Sequence, residues 1–122
     1  MQYLLMIYQQ EEQEGAPASE EERARSREAY DRFNETYGAR GVLRGGAELQ
    51  PTGSATSVRV RGGDVLLTDG PFAETKEQLA GYYVIECDTL DDAIDVAAAV
   101  PGALGGTVEI RPQVEGVGPS PA

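Results

Sequence analysis

Apolar and polar positions along the chain follow two different periods, and together they predict six strands and two helices. Strand-like runs occupy residues 2–8, 42–49, 56–60, 64–68, 79–87 and 107–111. Helical spacing begins after Ser19 and again after Thr89, two hydroxyl residues of the kind that cap a first helical turn. The predicted order is strand, helix, strand, hairpin, strand, helix and strand.

Each predicted helix carries a single apolar stripe. The stripes are Ala29, Tyr30, Phe33 and Tyr37 in the first helix, and Leu90, Ala93, Ile94, Ala97 and Ala98 in the second. Aromatic residues at this spacing indicate one buried face rather than a ligand-binding row. The strands 2–8 and 79–87, by contrast, are apolar at nearly all alternate positions, which is typical of strands covered on both faces.

Two strand–helix–strand units with one-sided helices predict an α+β sandwich of the ferredoxin-like type. Its element order is β-α-β-β-β-β-α-β, with a hairpin inserted around Gly62-Gly63. Both helices would cover one face of the sheet, so the other face needs a second cover. We expect a homodimer that packs sheet to sheet or exchanges edge strands.

A turn segment, residues 68–77, joins the hairpin to the fifth strand and has the sequence Thr-Asp-Gly-Pro-Phe-Ala-Glu-Thr-Lys-Glu. Asp-Gly-Pro favours a tight turn, because Asp bonds nearby backbone, Gly accepts a positive φ and Pro fixes the exit direction. The rest of the segment brings an aromatic side chain and several charges close together. Lys76 is the only lysine among the ten cations of the chain.

Length and charge narrow the class of protein. The 122 residues predict one domain over residues 1–112 and a disordered Gly- and Pro-rich tail over residues 113–122. A formal net charge of −11 repels phosphate backbones, so we expect no nucleic-acid partner. No apolar run approaches the roughly 20 residues of a membrane helix, and the N-terminus lacks the features of a secretion signal. We therefore expect a cytoplasmic protein with no membrane partner.

Two residue types that often carry chemistry are scarce. Cys87 is the single cysteine, and histidine is absent. This composition excludes an intrachain disulfide, a cysteine metal cluster, histidine-ligated zinc and histidine-assisted nucleophiles. We expect no metal and no cofactor. Acid–base chemistry would depend on carboxylates, lysine, tyrosine or a bound ligand.

Residues 68–83, TDGPFAETKEQLAGYY, resemble the signature of the DGPF, or YCII-related, family. Residues 3–8, Gly45-Gly46 with 49–51, and 107–112 are similar to the flanking segments of that family, so the resemblance covers the chain apart from its tail. It implies a ferredoxin-like fold that dimerises as an α/β barrel, with a biochemical role that is mostly unassigned. Some members are encoded beside extracytoplasmic-function sigma factors, which makes a sigma factor a partner to consider.

The resemblance also bears on catalysis. A few members of the wider superfamily are thought to be enzymes, including a dehydrochlorinase of aromatic degradation, and a histidine–aspartate pair has been proposed as their active centre. The present chain has no histidine and cannot form that pair. Asp69 alone is similar to the acid of the motif, so the resemblance leaves enzymatic activity open.

Three charged residues of the turn segment are candidates for catalysis. Asp69 is either a carboxylate at a cleft, acting as base or hydrogen-bond acceptor, or a turn former that binds downstream N–H groups. Glu74 and Lys76 lie two residues apart, so an extended chain projects them to the same side. They either form an ion pair or hold a carboxylate and an ammonium against a small polar ligand. A desolvated lysine also serves as base or Schiff-base former.

A second set of residues is predicted to bind a ligand: Gly70, Pro71, Phe72, Tyr82, Tyr83 and Arg44. Phe72 is either a core anchor or a stacking surface. Tyr82 and Tyr83 face opposite sides of a strand, so we expect one in the core and the other lining a pocket with its hydroxyl. Arg44 is a candidate anion clamp, although no spacing pattern supports it.

Three functions fit these residues. The first is a small dimeric protein that binds a small organic ligand near the turn of residues 69–76. The second is a histidine-independent lyase, isomerase or dehydrochlorinase acting on a small organic acid, with Asp69 or Glu74 as base and Lys76 as charge stabiliser. The third is a regulatory module that binds a sigma factor through a sheet edge or the acidic first helix. The lack of histidine and of a metal cluster favours the first.

Overall fold

The computed structural model describes residues 1–12 and 17–116, and its elements follow the predicted order. They are β1 (Gln2–Gln9), α1 (Glu20–Ala39), β2 (Leu43–Glu48), a 3₁₀ turn (Thr52–Ser54), β3 (Thr56–Arg61), β4 (Asp64–Asp69), β5 (Gln78–Glu86), α2 (Leu90–Ala99), a second 3₁₀ turn (Pro101–Ala103) and β6 (Thr107–Pro112). The predicted strands and helices are thus confirmed. The strand ends differ from the predicted ends by at most one residue.

Both predicted helix caps are confirmed. The Oγ of Ser19 accepts a hydrogen bond from the N–H of Glu22 at 3.1 Å, and the Oγ1 of Thr89 accepts one from the N–H of Asp92 at 3.1 Å. Acidic residues fill the first turn of each helix, where they stabilise the positive end of the helix dipole. Local sequence therefore fixes the start of both helices.

The strands form two separate sheets. The larger sheet has the order β2-β5-β1-β6, and every neighbouring pair in it is antiparallel. This is the arrangement of two interleaved strand–helix–strand units, so the predicted ferredoxin-like α+β fold is confirmed. Strands β3 and β4 pair only with each other, as the inserted hairpin, and Gly62 and Gly63 turn it with φ values of 57° and 85°.

The core lies between the helices and one face of the larger sheet. Alternate residues of β1, namely Tyr3, Leu5 and Ile7, are buried there. Ile85 of β5 lies opposite Tyr3, and Phe33 of α1 belongs to the same buried cluster. Burying an aliphatic or Phe side chain of this size contributes about 1.5–3 kcal/mol, so this face supplies the main driving force for folding.

The buried face of α2 is rotated from the predicted stripe. Leu90 and Ile94 are 51% and 46% exposed, whereas Ala93, Val96 and Ala97 are buried. The prediction that Leu90, Ile94 and Ala98 share the buried stripe was therefore wrong. The buried face runs through Ala93, Val96, Ala97 and Val100 at the end of the helix, so Val96 and Val100 supply apolar bulk that the predicted stripe assigned to Leu90 and Ile94.

The second face of the larger sheet is also apolar. The strand register places Leu4 opposite Val84 and Met6 opposite Tyr82 on this face, with Tyr8 further along β1. These five side chains, which we call the open face, are each half-buried. The apolar character predicted for both faces of the sheet is therefore confirmed. No helix or strand among the described residues lies over the open face, so the helices cover only the other face.

Two glycines lie where a side chain does not fit. Gly46 has a φ of 152°, and a Cβ on it would lie 2.6 Å from the carbonyl oxygen of Tyr82. The β2–β5 register shifts between Leu43 and Gly45, next to this glycine pair. A Cβ on Gly106 would collide with the carbonyl oxygen of Tyr8. Close backbone contact thus fixes one edge of the sheet and the entry to β6.

The predicted tail, residues 113–122, falls partly outside the described residues, which end at Gly116. Within the described part, the N–H of Gln113 donates to the carbonyl oxygen of Gln2 at 3.0 Å. No helix in residues 1–12 and 17–116 is long and apolar enough to cross a membrane.

Candidate functional site

Backbone groups close the Asp-Gly-Pro turn. The N–H of Gly70 donates to the carbonyl oxygen of Ala55 at 2.7 Å, and the hydroxyl of Ser57 donates to the carbonyl oxygen of Gly70 at 2.8 Å. Gly70 has a φ of 94°, a conformation that glycine adopts without strain. The hydrogen bonds found across the described residues do not use the Asp69 carboxylate, so its predicted role as a side-chain turn former was wrong.

An open cavity lies at the end of the larger sheet where β1 ends and β5 begins. Its volume is about 760 Å³. The lining residues are Gln10, Glu11, Glu12, Thr52, Pro71, Glu74, Thr75, Lys76 and Gln78. Four of these nine belong to the turn segment. The cavity therefore brings that segment together with the loop after β1 and the first 3₁₀ turn.

A carboxylate joins two walls of the cavity. One oxygen of Glu11 accepts the backbone N–H of Thr52 at 2.7 Å, and the other accepts the Thr52 hydroxyl at 2.7 Å. The Glu11 carboxylate thus lies at the start of the first 3₁₀ turn, where backbone N–H groups have no hydrogen-bond partner within the turn. Glu12 accepts a hydrogen bond from Arg23 of α1 at 3.1 Å. Two of the three cavity carboxylates thus bind their own chain.

The opposite wall is held by local hydrogen bonds. The side-chain amide of Gln78 donates to the carbonyl oxygen of Thr75 at 3.0 Å. The hydroxyl of Thr107, at the start of β6, donates to the carboxylate of Glu77 at 2.8 Å. The end of the turn segment is therefore attached to two strands of the sheet before β5 begins.

Glu74 and Lys76 both line the cavity, as their spacing predicts. In residues 1–12 and 17–116 they form no ion pair with each other, so that alternative was wrong. Each side chain is exposed, and the neighbouring residues Thr75 and Glu77 make the hydrogen bonds of that wall. The cavity consequently offers one carboxylate and one ammonium to an occupant.

Four other candidates from the turn segment have separate positions. Asp69 and Gly70 do not line the cavity, while Pro71 does. Phe72 is 82% exposed, so the prediction that it anchors the core was wrong. The reason is geometric: the chain turns at Gly70, and the residues that the structure describes leave most of the Phe72 ring uncovered.

The two tyrosines and Arg44 also lie away from the cavity. Tyr83 packs on Phe33 with ring centroids 5.0 Å apart, and its hydroxyl donates to the Oδ1 of Asn34 at 2.6 Å. Burial raises the pKa of Tyr83. Tyr82 belongs to the open face, so the two tyrosines face opposite sides of β5 as predicted. Neither hydroxyl lines the cavity, so the predicted pocket-lining role finds no support there. Arg44 adds to the effect of the Met1 ammonium, whose hydrogen bond lowers the pKa of Glu86.

Several lining residues have no motif that could have identified them. Gln10, Glu11 and Glu12 follow a strand as ordinary polar loop residues, and Thr52 begins an ordinary turn. Thr52 is 41 residues from Glu11 in sequence. Only the tertiary fold brings them to the turn segment.

Two further kinds of site, a metal site and a reactive thiol, can be checked in the parts of the chain that the structure describes. No group of three or more acidic or cysteine side chains there could hold a metal ion. Cys87 is buried directly after β5, and burial raises the pKa of its thiol. A buried thiol with a raised pKa is a poor nucleophile.

Comparison with known proteins finds a family and a relative. The family model described as YCII-related domain matches residues 1–115. The chain is 38% identical over 114 residues to a protein of Rhizobium meliloti (strain 1021) named Uncharacterized protein R00369. That match covers 92% of this chain and 91% of the relative. The printed name of the relative assigns no activity, and the resemblance found in residues 68–83 is confirmed at the level of the family.

Proposed function

The chain belongs to the YCII-related domain family, and because the name of its Rhizobium meliloti relative gives no activity, we propose a function from the site itself. The protein binds a small polar organic molecule in the cavity beside residues 71–76 and works as a homodimer. The observation that carries this proposal is that four residues of the turn segment line the cavity, including both Glu74 and Lys76.

The chemistry of the cavity limits the ligand class. Glu11 and Glu12 already accept hydrogen bonds from their own chain, which leaves Glu74 and Lys76 for an occupant. Lys76 would bind an anionic or acceptor group, and Glu74 would bind an ammonium or hydroxyl group. A small molecule that carries both kinds of group fits this pair better than a simple acid, because the cavity contains three carboxylates and one ammonium.

The open face supports the homodimer. Five half-buried apolar side chains on an uncovered sheet face form the kind of surface that a second copy buries. The register places Glu86, Glu109 and Arg111 on that face. The Met1 ammonium bonds Glu86, and Arg44 is near enough to help lower the pKa of that carboxylate, so cations accompany the carboxylates of the face. Two chains of net charge −11 can therefore approach there without direct repulsion.

The lyase and sigma-factor alternatives gain no specific support. A lyase with Asp69 as base would need that carboxylate in the cavity, which Asp69 does not line. Glu74 and Lys76 remain usable for either binding or proton transfer, and no contact favours proton transfer. Neither alternative is proposed.

An amide NMR titration of ¹⁵N-labelled protein tests the binding proposal. The probes are glycine as a zwitterion, benzoate as an anion and putrescine as a dication, each raised to about 10 mM so that a Kd near 1 mM is detected. We expect glycine to shift the amide signals of Thr52, Thr75 and Gln78. The shifts disappear in Lys76→Met and persist in Arg27→Met, which removes a cation from α1, outside the cavity lining. Unchanged signals with all three probes, or equal shifts in both variants, would contradict the proposal.

A further inference from the structure

One face of the β3–β4 hairpin is apolar and uncovered. The register pairs Val58 with Leu67 and Val60 with Val65, so these four side chains share a face that we call the hairpin face. Their exposure lies between 57% and 68%. Every residue of the two strands except Ser57 is exposed, which shows that the rest of the described chain packs on neither side of the hairpin.

The base of the hairpin is nevertheless fixed. Hydrogen bonds of 2.7 and 2.8 Å, from Gly70 to Ala55 and from Ser57 to Gly70, close the two strands at this end. The Glu11 carboxylate holds Thr52, four residues before β3, at 2.7 Å and so ties this end to the loop after β1. An isolated two-stranded hairpin is at best marginally stable in water. A hairpin that is anchored at its base and apolar along its length is therefore suited to packing against another molecule.

The cavity lacks the kind of wall that the hairpin face provides. Pro71 is the only apolar residue among the nine that line it. Ligand sites are mostly lined by apolar and aromatic side chains, with a few polar groups that fix orientation. Phe72, next to Pro71 in sequence, is 82% exposed. Each chain thus has a polar cavity that lacks an apolar wall. It also has an apolar hairpin face that packs against no other part of the described chain.

We infer that the hairpin of one copy covers the cavity of a second copy, so that each ligand site is built from two chains. This inference rests on the proposed cavity and homodimer. The hairpin face becomes the apolar wall of the partner site. Phe72 of the covered copy then packs against it.

The exposed area and the charge of the hairpin both favour a second copy of the chain as the molecule that packs against the hairpin face. The hairpin face exposes on the order of 400 Å² of apolar surface, which is as large as the functional patches of many monomers. In a twofold-symmetric dimer two hairpin faces are buried, which doubles this area. The open faces add further buried area, toward the roughly 1,200–2,000 Å² of a stable interface. Residues 56–69 contain two arginines and two aspartates, so the hairpin adds nothing to the net charge of −11.

Paramagnetic relaxation between mixed copies tests this contact directly. A nitroxide is attached to Arg61→Cys, on the side of the hairpin away from the hairpin face, in a Cys87→Ala background. The spin-labelled chain carries nitrogen at natural abundance and is mixed with ¹⁵N-labelled wild-type chain. Because only the ¹⁵N-labelled copy gives amide signals, the broadening reports contacts between copies. We expect broadening of the Thr75 and Gln78 amide signals in the ¹⁵N-labelled copy. A dimeric sample without that broadening overturns the inference and leaves the proposed cavity and dimer intact.

A matched pair of variants separates the two sides of the hairpin. Leu67→Glu places a charge on the hairpin face, and Thr68→Glu places the same charge one residue later on the opposite side. We expect Leu67→Glu to raise the dimer dissociation constant about tenfold or more and Thr68→Glu to change it less than about threefold. Both positions are exposed in a single chain, and circular dichroism confirms that each variant is folded. Equal effects overturn the inference. Failure of the glycine titration alone overturns the ligand proposal and leaves the hairpin contact in place.

Discussion

Removal of the Glu11 carboxylate should loosen the cavity before it affects the fold as a whole. Glu11→Ala breaks two hydrogen bonds of 2.7 Å to Thr52, one to its N–H and one to its hydroxyl. Both partners lie near solvent, so we take about 0.5 kcal/mol for each bond, the low end for an intramolecular hydrogen bond. The free energy of unfolding should fall by about 1 kcal/mol.

Thr52→Ala provides the second arm of a double-mutant cycle. It removes the hydroxyl bond and keeps the backbone bond, so we expect a loss of about 0.5 kcal/mol and a coupling energy with Glu11→Ala of similar size. The control is Glu12→Ala, which removes the same charge and an exposed ion pair with Arg23, worth a few tenths of a kcal/mol. Urea denaturation gives these differences.

Hydrogen exchange at the Thr52 amide locates the effect. Loss of its acceptor should speed exchange at that amide severalfold in Glu11→Ala and leave it unchanged in Glu12→Ala. Unchanged exchange in Glu11→Ala would refute the argument that this carboxylate joins the two walls. A loss of stability in Glu12→Ala as large as that in Glu11→Ala would show that net charge, and not the hydrogen bonds, sets the result.

Two further predictions concern packing and pH. Gly106→Ala should lower the free energy of unfolding by more than about 2 kcal/mol, because the added Cβ collides with backbone atoms. Gly105→Ala should change it by less than about 1 kcal/mol, because the space around Gly105 is open. Equal effects of the two variants in urea denaturation would contradict this reasoning. Burial raises the pKa of Tyr30 and of Tyr83 above 10.0. The unfolded chain therefore loses these protons first, so stability is fully present below pH 10 and falls as the pH rises through the folded values. Denaturation curves that are unchanged between pH 9 and pH 11 would contradict that cause.

The parts of the fold that depend on local sequence were predictable. Ser19 and Thr89 begin helices because a hydroxyl can accept the N–H group three residues later, and that geometry needs no distant partner. The hairpin follows from Gly62 and Gly63, which adopt positive φ values. The ferredoxin-like order follows from these elements and from the one-sided helices.

The site was only partly predictable, because its geometry depends on distant contacts. Glu74 and Lys76 could be placed on one side by the alternation of an extended chain. The contact between Glu11 and Thr52 crosses 41 residues and leaves no periodic pattern. Phe72 was expected in the core because a large aromatic residue is usually buried, yet the residues that the structure describes leave it 82% exposed.

An excess of apolar residues explains why the α2 stripe was misplaced. The sequence pattern gives equal weight to every apolar residue, so Leu90 and Ile94 are predicted to face the core together with Ala93 and Ala97. In the folded chain Val96 is buried beside these two alanines, and Leu90 and Ile94 are exposed. Hydrophobic spacing alone cannot distinguish these two faces.

The mass of the wild-type protein in solution tests the central claim that the protein works as a homodimer. Sedimentation equilibrium in buffered saline at about 1–50 μM protein covers the range in which a specific dimer forms. The account predicts a species of twice the 13.0 kDa chain mass over this range. A single species of 13.0 kDa at every concentration would contradict it, because the open face and the hairpin face would then remain exposed to water.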